Sequence, residues 1–150
     1  MIDFISILKE HLPKFQKVLE LGSNKGDDLK LLDEYYEVIA SEDEKVKTRY
    51  LKDTFIDIRV ILVDKIELDL QKKFDCIFSN EKLDKYSLAE IELSFENQKK
   101  LLNKDGIIFH IFDSSNIDRE EVLKTIKENY ILLKNKEIDN KFYILARKKS

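Results

Sequence analysis

Two of the chain's three glycines fall in Glu20-Leu21-Gly22-Ser23-Asn24-Lys25-Gly26, directly after the apolar run Lys17 to Leu21 and before a helix-forming stretch that opens at Asp27. Glycine at these points lets the backbone turn sharply and approach a ligand more closely than a Cβ would allow. Asn24, between them, tolerates positive φ better than other residues with a side chain. Carboxylates surround this loop in sequence. Glu20 precedes it, Glu42 closes the run Tyr36 to Glu42, and Asp64 follows Val60-Ile61-Leu62-Val63. A carboxylate carries two acceptor oxygens, so each of these acids can take hydrogen bonds from the donors of a ligand. Asp27 and Asp28 at the helix start repel phosphate and match the positive end of the helix dipole. The plainer alternative is an ordinary glycine turn among solvated acids, and the loop alone leaves both readings open.

These residues need elements to hold them. Ile2, Phe4, Ile5, Leu8 and Leu12 recur at helical spacing, and Pro13 stands where that helix ends, so residues 1–13 predict an amphipathic helix. Strand, glycine loop and helix follow, with a strand near Glu37 to Ser41, a helix near Glu44 to Lys52 and a strand at Arg59 to Val63. Phe74 to Ser79 predicts the next strand, Ser87 to Leu102 a long amphipathic helix, and Gly106 to Phe112 a buried strand. A helix near Asp118 to Asn129, capped by Ser115 or Asn116, precedes strands at Tyr130 to Lys134 and Lys141 to Arg147, which Asp139-Asn140 joins. Repeated βα units predict a parallel sheet with right-handed crossovers, whereas a short-turn hairpin must run antiparallel. The expected sheet is therefore mixed, and its continuous apolar runs require helices on both faces.

At 150 residues, with no repeat and no Gly/Ser/Pro-rich linker, the chain is read as one domain, 1–150. The 43% hydrophobic and 38% charged residues describe a globular protein, and no apolar run reaches the roughly 18 residues that span a bilayer. Met1 to Leu12 lacks the basic leader and cleavage site of a secretory signal, and a cytoplasmic location is expected. Net charge is −3 from well-mixed acids and bases, which argues against electrostatic binding to nucleic acid. Cys76 is the only cysteine, expected as an inert core residue, so intramolecular disulfides are excluded. The two histidines lie far apart with no Cys/His cluster, and no metal site is expected.

The stretch Val18-Leu19-Glu20-Leu21-Gly22-Ser23-Asn24-Lys25-Gly26 resembles the first sequence motif of the class I S-adenosylmethionine-dependent methyltransferases, an acid followed by alternating glycines. Asn24 stands where that family has its middle glycine. The resemblance runs from about Lys17 to Arg147, through Phe74 to Leu83 as the fourth-strand segment and Leu101 to Phe109 as the turn into the fifth. It implies an α/β, Rossmann-like methyltransferase sheet, mostly parallel, with a C-terminal antiparallel hairpin and helices on both faces. It implies S-adenosylmethionine as cofactor, with Gly22, Asn24 and Gly26 forming the loop and Glu20 meeting the methionine ammonium. It further implies Glu42 on the ribose hydroxyls, Asp64 on the adenine amine and Asn80 lining the donor pocket.

A nicotinamide dinucleotide site is the natural rival, since Glu42 lies 20 positions beyond Gly22. The glycines are not in G-x-G-x-x-G register, however, and Asp27-Asp28 oppose a pyrophosphate. No P-loop sequence occurs. A methyl-transfer reaction needs orientation and exclusion of water rather than a metal, and a general base only where the acceptor holds a proton tightly. No residue is assigned as catalytic. Asn80, Glu81 and Asp113 fall at strand ends where such a group belongs, while His110 is expected as a hydrogen-bonded core residue, His11 at the surface and Asp113 in the Ser114-Ser115 turn. The expected partner is a small-molecule acceptor. A methyltransferase-like scaffold subunit without catalysis, acting through a protein partner, is the second reading.

Overall fold

Every residue of Val18-Leu19-Glu20-Leu21 is buried, which places strand β1 (Lys17–Leu21) inside a sheet covered on both faces. The computed structural model describes residues 2–150, so Met1, the first residue of the expected amino-terminal helix, lies outside the described residues. Strands β2 (Glu37–Glu42), β3 (Arg59–Leu62), β4 (Phe74–Asn80) and β5 (Leu102–Asp113) join β1 in parallel. β6 (Tyr130–Ile138) and β7 (Lys141–Lys148) form the expected antiparallel hairpin, and the full order is β3-β2-β1-β4-β5-β7-β6. Chain order reverses between β1 and β4, and ligands of open α/β sheets collect beside such a reversal, at the carboxyl ends of the strands.

Helices cover both faces. α1 (Phe4–His11), α2 (Asp27–Asp33) and α3 (Lys45–Thr54) set Phe4, Leu8, Leu29 and Leu51 on the face formed by Val18, Val38, Phe78 and Phe109. α4 (Leu88–Lys100) and α5 (Arg119–Ile126) set Ile91, Phe95, Val122 and Ile126 on the opposite face, against Leu19, Ile77 and Ile108. Val18 and Leu19 divide between the two layers because successive strand side chains point to opposite faces. α1 packs flat on the sheet, its Phe4 ring 4.8 Å from that of Phe78, as its periodicity implies. Among the described residues no helix is long and apolar enough to cross a membrane.

Element ends show where local chemistry decided and where tertiary contacts did. Ser87 and Glu90 close a capping box on α4, which ends at Lys100, and β5 begins at Leu102 rather than Gly106. Pairing of Leu102 with Phe74 extends β5 backwards, across an irregularity before Cys76 pairs with Ile107. α5 is capped by Asp118, whose carboxylate accepts from Glu121 N, and not by Ser115 or Asn116. Ser115 instead donates to Asp113 through its backbone N–H and its hydroxyl, while Ile117 packs on the core and holds the helix start in place. The β3–β4 crossover contains no helix. It is an irregular segment pinned by Val63, Ile66 and Leu68, with Asp64 Oδ1 accepting from the N–H groups of Ile66 and Glu67.

Candidate functional site

After β1 the backbone turns through left-handed φ at Gly22 (73°), Asn24 (52°) and Gly26 (93°). The two glycines take this region freely, and asparagine tolerates it. The loop is tied to β2. Ser23 N donates to Ser41 O at 2.8 Å, and Asn24 N donates to Glu42 Oε2 at 2.7 Å. Glu42, at the end of β2, is buried and faces the glycine loop that the sequence places beside it.

Gly26 is the N-cap of α2, and the Phe55 ring at the end of α3 lies directly against it, leaving no room for a Cβ. Gly26→Ala combines that clash with a left-handed backbone. Its expected cost is about 2–3 kcal/mol, read as a lower denaturation midpoint at unchanged m-value. Unaltered stability would mean that Phe55 is not packed on the loop.

Glu20 lies on β1 in register with Ala40 and Phe78, only 2% exposed. Its Oε1 is buried with no hydrogen-bond partner among the described residues. Burial pushes its carboxyl up to about 7, with Asp28 and Glu42 adding repulsion while the Ser23 hydroxyl and Lys82 oppose it. Asn80, at the end of β4, donates to Asp28 Oδ2 at 3.0 Å, which joins β4 to the first turn of α2. The structure thus gathers Glu20, Gly22, Asn24, Gly26, Glu42 and, through Asp28, Asn80. Asp64 is exposed at the exit of β3, with Oδ1 committed to the turn that follows it.

The sequence reading missed two lysines. A Cβ placed on Gly22 would come within 2.8 Å of Lys82 Cγ and 2.9 Å of Lys65 Cε, so both side chains lie over the glycine. Lys65 Nζ reaches on to Asp43 Oδ2 at 2.8 Å. Lys65 directly follows Asp64 and Lys82 lies two residues beyond Asn80, so the strand-end logic that picked the acids reaches both. Tyr86 sits in the same neighbourhood, and burial is the main cause that raises its phenol, with the charges of Lys65, Asp43 and Asp64 acting on it.

Over 98% of this chain and 89% of the other, the backbone matches an S-adenosylmethionine-dependent methyltransferase from Clostridium acetobutylicum with a TM-score of 0.87 at 12% identity. The chain has the class I methyltransferase fold. A TehB-like S-adenosylmethionine-dependent methyltransferase from Corynebacterium glutamicum matches with a TM-score of 0.82 at 18% identity, over 96% of this chain and 86% of that one. The N-methyltransferase NodS from Bradyrhizobium japonicum, in complex with S-adenosylhomocysteine, matches with a TM-score of 0.79 at 14% identity, over 97% and 85%. No family model matches the sequence, and no curated protein matches it.

Within this methyltransferase fold the remaining sequence candidates divide. His110 is fully buried on β5 and stacked on Phe95. Ser79 Oγ lies 2.6 Å from its Nδ1 and Gln98 Oε1 lies 2.7 Å from its Nε2. Burial pulls its imidazole down to about 3, so it is a neutral core group and not a base. The Cys76 thiol is fully buried and pushed upward by desolvation, and is inert. Asp113 belongs to its turn, and its hydrogen bonds from Ser115 hold its carboxyl below the ordinary value. Glu81 adopts φ 58° and pairs with Lys141 of β7. His11 is half-buried rather than at the open surface, its ring Nδ1 3.2 Å from Ile7 O. Glu42, Asp43 and Glu44 bring their carboxylates within 4.8 Å of one another, but Asp43 already holds Lys65 and Glu44 holds Lys47.

Proposed function

We propose that this chain is an S-adenosylmethionine-dependent methyltransferase, with the donor held by Glu20, Gly22, Asn24, Gly26, Glu42, Asp64 and Asn80, acting on a small-molecule acceptor. The observation that carries the reading is the Oε1 of Glu20, buried beside a positive-φ loop and unpartnered among the described residues. An orphaned carboxylate oxygen costs free energy unless a donor reaches it, and an ammonium is the strongest such donor. The acids around it, Asp28 and Glu42, favour a cationic ligand over a phosphate. When bound, the donor supplies a methyl group activated by its sulfonium for in-line displacement.

The chain's own contribution is placement. Glu20 would accept from the ammonium, and Glu42 from the ribose hydroxyls alongside the Asn24 N–H it already holds. Asp64 would use the oxygen outside its turn for the adenine amine. The acceptor would enter over the carboxyl ends of β4 and β5, where Glu81 and Asp113 lie, and orientation with exclusion of water would supply most of the rate. The well-mixed charge supports a small-molecule acceptor over nucleic acid.

Calorimetric titration with S-adenosylmethionine and S-adenosylhomocysteine, with a nicotinamide dinucleotide as control, tests the reading. Binding of the first two alone is expected, and binding of neither would withdraw it. Glu42→Ala is expected to weaken both ligands about a hundredfold, the equivalent of two charge-assisted hydrogen bonds. Unchanged affinity in a variant with an unaltered melting curve would remove the ribose contact.

A further inference from the structure

We propose that Lys65 and Lys82 form a strap across the donor cleft that must swing out before the donor enters, so that these two side chains set how tightly and how selectively it binds. The proposal rests on the donor site described above. Three observations carry it. Lys82 and Lys65 fill the space directly over Gly22, the space that a glycine at a ligand-binding turn leaves open. The Lys65–Asp43 ion pair runs from the exit of β3 to the exit of β2, beside the two acids, Glu42 and Asp64, that would hold the nucleoside. Its lysine side chain is 10% exposed and its aspartate 28%, so the pair is partly shielded while salt still reaches it from the aspartate side.

The backbone beneath Lys65 is fixed, so opening there falls to the side chain. Ser94 Oγ donates to Lys65 O at 2.7 Å, and Asn97 Nδ2 donates to Ile66 O at 2.8 Å, so α4 anchors the segment. Beyond that anchor a lysine is a flexible four-carbon stem whose ammonium is readily rehydrated. Opening therefore requires two rotamer changes and one broken ion pair, with no shift of an element. Charge makes the strap selective. Two ammonium groups beside the site repel a sulfonium, whereas the neutral thioether of the product escapes that repulsion. After swinging out the two lysines stay at the rim of the cleft, and there they disfavour the sulfonium ligand relative to the thioether.

The test is titration of S-adenosylmethionine and S-adenosylhomocysteine into wild type, Lys65→Ala, Lys82→Ala and Asp43→Asn, with melting curves to verify folding. Each substitution is expected to tighten binding about fivefold or more, and the two lysine variants to tighten the sulfonium ligand more than the thioether. In the wild type, raising salt from about 50 to about 500 mM should strengthen thioether binding by weakening the Lys65–Asp43 pair. This arm needs no variant and survives a misfolded mutant. Wild-type binding that is unchanged or weakened by salt and by both lysine substitutions would overturn the strap and make the lysines donor contacts. Absence of binding in every protein would instead overturn the donor site itself, and the strap with it.

Discussion

His110→Leu is expected to lower the unfolding free energy at pH 7 by about 3 kcal/mol, because it strands buried partners at both ends of the ring. Ser79 Oγ donates to Nδ1, and the proton on Nε2 is donated to Gln98 Oε1. Gln98 Nε2 then donates to Ser94 Oγ at 3.0 Å, and Ser94 Oγ to the carbonyl of Lys65. Four side chains therefore form one relay in which every donor points the same way, and this fixes the imidazole tautomer. The same burial sets a pH signature. In the folded protein the ring titrates at about 3, below the ordinary value of 6.5, so between those values the unfolded chain binds the extra proton. Stability from this group is complete above about pH 6.5 and falls as pH drops toward 3, at up to about 1.4 kcal/mol per pH unit. Urea titrations of wild type and variant at pH 7 and pH 5 should show their difference shrinking in acid. A constant difference would mean that the ring is not held neutral.

A second large effect is expected from Glu20→Gln, with opposite signs on stability and on binding. Burial raises the Glu20 carboxyl from 4.5 to about 7, so the folded state holds a proton that the unfolded chain has released between those values. Its contribution is favourable below about pH 4.5 and is lost as pH rises through 7. The amide is neutral at every pH and nearly isosteric, so the variant should be more stable than wild type at pH 8, by about 1–3 kcal/mol. A cationic donor reverses the balance, since it needs the ionised carboxylate. Wild-type affinity should rise between pH 5 and pH 7, by up to about tenfold per unit, and then level off. In Glu20→Gln that slope should vanish and affinity at pH 8 should fall at least about tenfold. Parallel pH profiles for the two proteins would show that the ligand does not meet Glu20.

What the sequence made legible were features of short range. The run Val18 to Leu21 followed by Gly22 located β1 and its loop to the residue, because a buried strand must end where a glycine turns the chain. Asp139, at φ 56°, located the hairpin for the same reason. Asn103 to Gly106 misled, since their turn chemistry is real, yet pairing of Leu102 with Phe74 drew the strand across them. There Asp105, at φ 63°, takes the left-handed position rather than its glycine neighbour. The cap of α5 shifted to Asp118 because Ile117 is held by the core, a contact no local pattern reports.

The candidate site was legible as a set of strand ends and illegible in its interior. Glu20, Glu42 and the loop residues converge because parallel strands deliver their carboxyl ends to one edge. That Glu42 is already bonded to Asn24 N, and that two lysines fold back over Gly22, depends on side-chain reach across chain separations that spacing does not encode. In a chain with 27 basic residues, nearness to a strand end singles out Lys65 and Lys82 as candidates, but only the folded sheet shows that their side chains cover Gly22.

The insertion of β7 between β5 and β6 has a consequence for synthesis on the ribosome. The last seven residues of β5, Ile107 to Asp113, are hydrogen-bonded on that side only by Lys141 to Arg147. Translation from the end of β5 to the start of β7, at 5–20 residues per second, takes roughly 1 to 6 s. Until β7 docks, the chain carries an apolar strand with an open edge, the geometry that invites pairing with a neighbouring chain. Yield in the cell should therefore respond to translation speed and to chaperone supply across residues 114–148 more than to the stability of the finished sheet.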